Sequence, residues 1–370
     1  MKGRIIMKKF VSVFLILITV FTLFSCSKKY EPVKSTDKEA EVICTLGSGK
    51  NKEEVKYELY RTFFLNYKDS VAGGDAQAFT GENKDANIAA INEMIFDKIA
   101  TIYATLSYAK TLGIDPYSKS FDEKVTEYVR VSVEGNGQFQ GHGGDYDAYL
   151  NSLKEENMNY AVSELIFRYE LTLQAIDKYY RGQTDPILGT VDGALEISDE
   201  TLREYYFGEE SVRVIHILYA GGVKTDEQLQ SIRAELDSMR TSEAIGLYIL
   251  NNSIVTESDI FVEGKLSGIM IGKHVLSSDY YSEYINAAFS MKDGEVSEVI
   301  KSKDRSENSY IIHKLEKTEE HFKAYKDTVR SSYIDNLIGK SINSIKSDLL
   351  SDINFTDAYS EVVHSNISME

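Results

Sequence analysis

Val212-Arg213-Val214-Ile215-His216-Ile217-Leu218 is the stretch on which the fold turns. Its β-branched residues suit a pleated, buried backbone, and an apolar run of this length reads as a strand. One histidine sits in its middle. Much later, Ser309-Tyr310-Ile311-Ile312-His313-Lys314-Leu315 reads as a second strand of the same kind. Between them, Leu229, Ile232, Leu236 and Met239 recur at helical spacing, so a helix is predicted between Asp226 and Met239. Two histidine-bearing strands that bracket helix and loop mark a small β-rich domain.

Both flanks of that domain are helical. A strand-like run, Glu41-Val42-Ile43-Cys44-Thr45-Leu46, comes first. A helix is predicted from near Asn51, where Val55, Leu59, Phe63 and Tyr67 recur every four residues. A long amphipathic helix follows through Ile88, Ile91, Ile95, Ile99, Ile102, Leu106 and Ala109. Gly113 is its natural left-handed cap, and Pro116 stops its continuation. Phe121 to Val133 is a third helix, and Tyr146 to Leu153 and Val162 to Ile176 continue the period. The segment 135–144, with five glycines and His142, reads as a flexible loop, since no Lys-Ser/Thr pair opens a helix after it as a phosphate cradle requires. After Glu316 the helical period returns, from Phe322 to Leu349. That stripe needs a partner, and the first helical part of the chain supplies one. The fold is therefore expected to be α+β, a β-containing domain inserted in a helical one.

The N-terminus is a leader. Lys2, Arg4, Lys8 and Lys9 precede the apolar run Phe10 to Phe24, the pattern of a secretory signal rather than a membrane span. Leu23-Phe24-Ser25-Cys26 resembles a bacterial lipobox, in which the cysteine takes the lipid. Acyl chains on Cys26 would hold the protein at a membrane without a transmembrane helix. Plain secretion with Cys26 as a free thiol is the alternative. Residues 26–40 are a polar tether. Cys44 is the only other cysteine, so it reads as a small buried hydrophobe.

The net charge is −17, and the leader's four basic residues raise the balance outside it to −21. That excludes a nucleic-acid partner, which needs a basic face. Solubility alone explains it; a preference for basic polypeptides is the sharper alternative. With 25 tyrosines, 16 phenylalanines and no tryptophan, any apolar groove must be lined by Tyr, Phe, Leu and Ile. Six histidines, His142, His216, His274, His313, His321 and His364, are scattered without a metal-binding spacing, so no metal and no cofactor is expected.

The order of elements resembles the PrsA and SurA class of extracytoplasmic folding factors. Ala109-Lys110-Thr111-Leu112-Gly113-Ile114 stands where that class has an AKxLGI turn, and Ser198 to Tyr206 leads into the first histidine strand. Val212 to Lys317 resembles its parvulin-type prolyl isomerase domain. The most specific match is Asn286 to Ile300, whose Gly294-Glu295-Val296-Ser297 forms the expected turn. With Cys26 as anchor, PrsA lipoproteins are the nearer resemblance. It implies a signal peptide (1–25), a lipid-anchored tether (26–40), a helical chaperone domain (41–207), a parvulin-like domain (208–317), a C-terminal helix packing on the chaperone domain (318–356) and a tail (357–370).

The resemblance also implies a site. In the family, two histidines and an Asp or Cys form a hydrogen-bonded floor under the prolyl bond, and Met, Leu or Phe wall a proline pocket. His216 matches the first histidine and Asp259 the acidic position. Tyr280, Tyr284 and Phe289 fall at or near wall positions, and as substrate-binding residues they join Ile311 and His313. Each has a plainer reading: a structural strand histidine, an exposed loop aspartate, ordinary core aromatics. The second strand departs from the family. Ile311 stands where the second histidine belongs, and His313 lies nearly 7 Å further on, at about 3.3 Å per residue. The segment Gly264-Lys265-Leu266-Ser267-Gly268 also lacks the Gly-Gly-Asp-Leu-Gly pattern. The expectation is a membrane-anchored, extracytoplasmic foldase that binds unfolded exported chains, with isomerase activity weak or lost. A non-enzymatic holdase or scaffold lipoprotein is the main alternative. A solute-binding lipoprotein is a third, disfavoured by the helical first domain. The oligomeric state is not legible.

Overall fold

The computed structural model describes residues 30–49, 52–184, 196–254, 260–276, 282–301 and 308–368. The leader, Cys26, Asp259 and Tyr280 lie outside the described residues. The chain is α+β, helix-rich with small antiparallel sheets. It divides into two compact units. Of the described residues, one unit holds those from 30 to 66, 95–173 and those from 349 to 368, and the other holds 67–94 and those between 174 and 348. Among the described residues, no helix is long and apolar enough to cross a membrane.

The first unit is organised by strand β1 (Val42–Leu46). β2 (Glu53–Lys56) and β9 (Ile353–Phe355) pair with it on either side, both antiparallel. Segments far apart in sequence, Val42–Leu46 and Ile353–Phe355, therefore meet in one sheet. A helix was expected from near Asn51, but Glu53–Lys56 is a strand and helix α1 (Tyr57–Ala72) starts after it. Local spacing misled there because Val55 belongs to strand pairing: it sits opposite Cys44 and is fully buried. The helices α2 (Lys84–Thr111), α3 (Lys119–Glu134), α4 (Tyr146–Glu155) and α5 (Tyr160–Arg181) follow, and the boundary between the units falls within α1, α2 and α5 and again near the end of the helix Lys326–Leu350.

Gly113 closes α2 with φ +78°, the left-handed geometry expected of it. The Ile114 N–H then reaches back to the Ala109 carbonyl at 3.0 Å. Segment 135–144, expected to be a flexible loop, is tied by backbone bonds. His142 and Gly144 both donate to the Val133 carbonyl at 2.9 Å. The core of this unit is aromatic. Tyr60 is wholly buried, its hydroxyl 2.9 Å from His364 Nε2, with Phe64, Phe96 and Tyr359 around it.

The second unit holds a four-stranded antiparallel sheet, in the order β6 (Ile269–Gly272), β3 (Ser211–Tyr219), β8 (Ser309–Leu315), β7 (Ile300–Lys301). α6 (Asp199–Phe207), capped by Ser198, leads into β3. After β3 come α7 (Asp226–Asp237), with a Thr225–Gln228 capping box, and α8 (Ser242–Asn252), capped by Thr241. Sequence periodicity had not separated α8. A short hairpin, β4 (Phe261–Val262) and β5 (Lys265–Leu266), precedes β6. α9 (Ser282–Ser290) lies between β6 and β7.

Alternate side chains of a strand point to opposite faces, and here each face has its own helices. Ile215, Ile217, Tyr219, Ile311 and Leu315 cluster with Leu229 and Leu236 of α7 and Ile245 and Ile249 of α8. Val212, Val214, Tyr310 and Ile312 cluster with Tyr284 and Ala288 of α9. Gly268, at φ +71°, lets the chain enter β6. A Cβ there would stand 2.7 Å from both Leu315 Cδ1 and the Val214 carbonyl oxygen.

Beyond β8 the helical stretch expected to be continuous is two helices, α10 (Glu319–Ala324) and α11 (Lys326–Leu350), broken at Tyr325. α11 is fastened within this unit. Tyr205 Oη lies 2.8 Å from Ser332 Oγ, Arg181 pairs with Asp335 at 2.7 Å, and Asn336 Oδ1 accepts from the His274 N–H at 2.8 Å. Gly339 lets α11 pass directly over the His274 carbonyl, where any Cβ would clash.

Cys44 offers a test of the first unit. It is fully buried, and burial pushes its thiol up to about 12. In a chain beginning after Cys26 it is the only thiol. Its reaction with a disulfide reagent at pH 8 is expected to be slower than in the urea-unfolded chain by on the order of 100-fold or more, because the thiolate is the reactive form. Equal rates would mean that β1 is not sequestered.

Candidate functional site

His216 lies at the centre of β3 with only 7 % of its surface exposed. A buried imidazole needs hydrogen-bond partners. One is the Tyr284 hydroxyl, 2.9 Å from Nδ1. Tyr284 comes from α9 and is wholly buried. Ala288 follows it at i+4, so both face the sheet. Tyr310, on β8, completes a triangle of rings. The centroids are 5.5 Å apart for His216 and Tyr284, 5.6 Å for His216 and Tyr310, and 5.3 Å for Tyr284 and Tyr310, all edge-to-face. Such geometry sets the positive edge of one ring against the negative face of the next. Phe289 packs on the same cluster. Of the residues picked from sequence, the fold thus gathers His216, Tyr284 and Phe289.

Ile311 and His313 are elsewhere. In the β3–β8 ladder His216 stands opposite Ile312, while Ile311 faces Ile217 and His313 faces Ile215. Ile311 belongs to the α7–α8 cluster. His313 shares its parity and reaches α8, with Nε2 2.8 Å from Ser242 Oγ. Its Nδ1 lies 3.2 Å from the Glu295 carbonyl. A carbonyl only accepts, so Nδ1 carries the proton and Nε2 accepts from Ser242. Burial lowers the His313 pKa, partly offset by the Glu295 bond, which keeps the ring neutral. The expectation that positions 311 and 313 line one site with His216 is therefore corrected: an odd offset in register sends them to the other face. Asp259 and Tyr280 lie outside the described residues.

The Gly294-Glu295-Val296-Ser297 turn does what its sequence suggested. Gly294 (φ +86°) donates to the Lys314 carbonyl at 2.8 Å, Lys314 donates back to Glu295, and Ser297 donates to the Ile312 carbonyl at 2.8 Å. The Ser297 hydroxyl accepts from the Ile312 N–H at 2.9 Å. These bonds lock β8 in register beside β3. Two contributors were missed in the sequence. Tyr310 was visible as an apolar strand residue, but only its even spacing from Ile312 and the ladder bring it to His216. Ser242 carried no signal, since its role depends on the fold bringing α8 to β8.

The His216 face can hold an imidazole and two phenol rings in an apolar setting. It orients a tyrosine hydroxyl at the ring nitrogen. β8 gives that face no histidine, because its one histidine is turned away.

The sequence matches no family model and no curated protein. Among solved structures, it is similar to the foldase PrsA of Streptococcus pneumoniae, at 13 % identity over 83 % of this chain and 92 % of that one, with a TM-score of 0.30. It is also similar to PrsA of Bacillus subtilis (17 % identity, 85 % and 93 % covered, TM-score 0.25) and of Lactococcus lactis (15 %, 89 % and 99 %, TM-score 0.26).

The His216–Tyr284 pair predicts energetic coupling. In a double-mutant cycle with His216→Leu and Tyr284→Phe, followed by urea unfolding, the two changes should couple by about 1 kcal/mol, the net worth of a buried neutral hydrogen bond. Strict additivity would mean that the hydrogen bond contributes nothing.

Proposed function

We propose that the chain is an extracytoplasmic folding factor, held at a membrane through lipid on Cys26, that binds unfolded exported polypeptides while catalysing prolyl isomerisation weakly or not at all. The leader and the Leu23-Phe24-Ser25-Cys26 motif support the location, and the parvulin-like order of strand, helices and Gly-Glu-Val-Ser turn supports the class. His216 and Asp259 are the residues on which residual catalysis would rest. Tyr280, Tyr284 and Phe289 are the proposed wall against which a proline ring would pack. Ile311 and His313 no longer belong to it.

The observation that carries the reading is the placement of His216. Rotation about an X-Pro bond faces a barrier of roughly 20 kcal/mol and takes about 10–100 s unaided. A catalyst must favour the twisted amide with polar groups aimed at it. His216 instead gives Nδ1 to a buried tyrosine and has Ile312 across the ladder. Its slight exposure favours the non-enzymatic alternative, a holdase whose sheet domain adds binding surface.

A prolyl-peptide isomerisation assay run beside an aggregation assay separates these. The expected result is turnover at or barely above the spontaneous rate, together with suppression of client aggregation that His216→Ala leaves intact. Robust turnover that His216→Ala abolishes would sink the reading.

A further inference from the structure

On the face of the sheet away from His216, a cavity of about 520 Å³ opens beside Arg213, Ser242, Lys265, Leu266, Leu315 and Tyr325. Its size suits a small ligand. Arg213 is the anomaly in it. The residue is 7 % exposed, in a strand that is mostly apolar. Buried cations are ordinarily matched by a carboxylate. Arg213 has instead three carbonyl oxygens: Ser267 at 2.6 Å, Glu316 at 2.9 Å and Leu266 at 2.5 Å. Among the described residues no ion pair involves it. Of its five N–H donors, these bonds use three.

Other polar groups stand in the same wall. Ser242 lines the wall with its hydroxyl proton committed to His313, and Lys265, at the rim, contributes an ammonium in loose contact with Glu320 at 4.0 Å. His321 is buried between two tyrosines, its centroid 4.5 Å from Tyr325 and 5.7 Å from Tyr206. The Tyr206 hydroxyl accepts from the Thr318 N–H at 3.2 Å and lies 3.0 Å from His321 Nδ1. Burial, with Arg213 nearby, pushes the His321 pKa down to about 4, though the Ser267 backbone offsets part of this, so the ring is neutral at physiological pH and adds no charge to the wall.

We propose that this cavity binds a carboxylate, the C-terminal end of a polypeptide whose last side chain is apolar. Arg213 and Lys265 meet the carboxylate, and Leu266 and Ala324 take the side chain. The acidic residues at the wall, Glu243, Glu316 and Glu320, set a limit on the charge admitted: a monoanion gains from Arg213 and Lys265, whereas a phosphate dianion meets their repulsion. Chain ends are recognised in this way elsewhere, by converging N–H donors. The site lies on the opposite sheet face from His216, so it stands whether or not the folding-factor reading holds.

The test uses the chain that starts after Cys26. Acetyl-Ala-Ala-Leu with a free carboxylate is titrated against the same peptide as its amide, followed by calorimetry and by the Arg213 Nε–H signal. The acid is expected to bind at least tenfold more tightly than the amide and to move the Arg213 signal. Lys265→Glu, at an exposed rim position, should weaken the acid at least threefold. Arg213→Lys should weaken it further, in a chain whose melting temperature is checked. Should Arg213→Lys fail to fold, Lys265→Glu alone decides. Equal binding of acid and amide, no binding at millimolar peptide, or acid binding indifferent to Lys265→Glu would overturn the proposal and leave Arg213 as a structural bracket. So would inorganic phosphate displacing the peptide at equal concentration.

Discussion

The pairing register of β3 with β8 is the constraint on which the second unit depends. A strand's side chains alternate with a period of two, so a slip of one residue would exchange the two faces entirely. In the register observed, Ile215, Ile217 and Ile311 meet α7 and α8, while Val214, Ile312 and Tyr310 meet α9. Each face then buries several large side chains, worth roughly 1.5–3 kcal/mol apiece. A slip would present those sets to the wrong helices. The Gly294–Ser297 turn guards against it from the other edge of β8, with reciprocal backbone bonds and the Ser297 hydroxyl.

The polar groups follow from that register. His216 falls on the α9 face, where Tyr284 satisfies it and Tyr310 packs on its edge. His313 and Arg213 fall on the other face. His313 is quenched between Ser242 and the Glu295 carbonyl, whereas Arg213 is held by carbonyls alone. One sheet therefore separates a closed aromatic cluster from a donor-lined cavity.

Much of this was legible from residues. The runs at Val212 and Ser309 are strands because their β-branched side chains suit nothing else nearby, and Gly113 caps its helix because only it takes φ +78° without strain. The resemblance in segment 286–300 anticipated a helix followed by the Gly294–Ser297 turn. Facing was not legible. Whether Ile311 or Ile312 stands opposite His216 is a property of two strands together, and no single-strand pattern contains it. Short strands were also hidden: Glu53-Glu54-Val55-Lys56 carries one apolar residue, and only its pairing with β1 makes it a strand. The split between α10 and α11 at Tyr325 breaks no periodicity, so the sequence read as one helix.

The central claim is that His216 shares its face with Tyr284 and Tyr310 and not with Ile311 or His313. Nuclear Overhauser contacts in a chain with labelled His, Tyr and Ile methyl groups test it most directly. The His216 ring should show contacts to both tyrosine rings, and the Ile311 methyls to Ile245 or Leu229 side chains. Contacts from the His216 ring to the Ile311 methyls or to the His313 ring would contradict it.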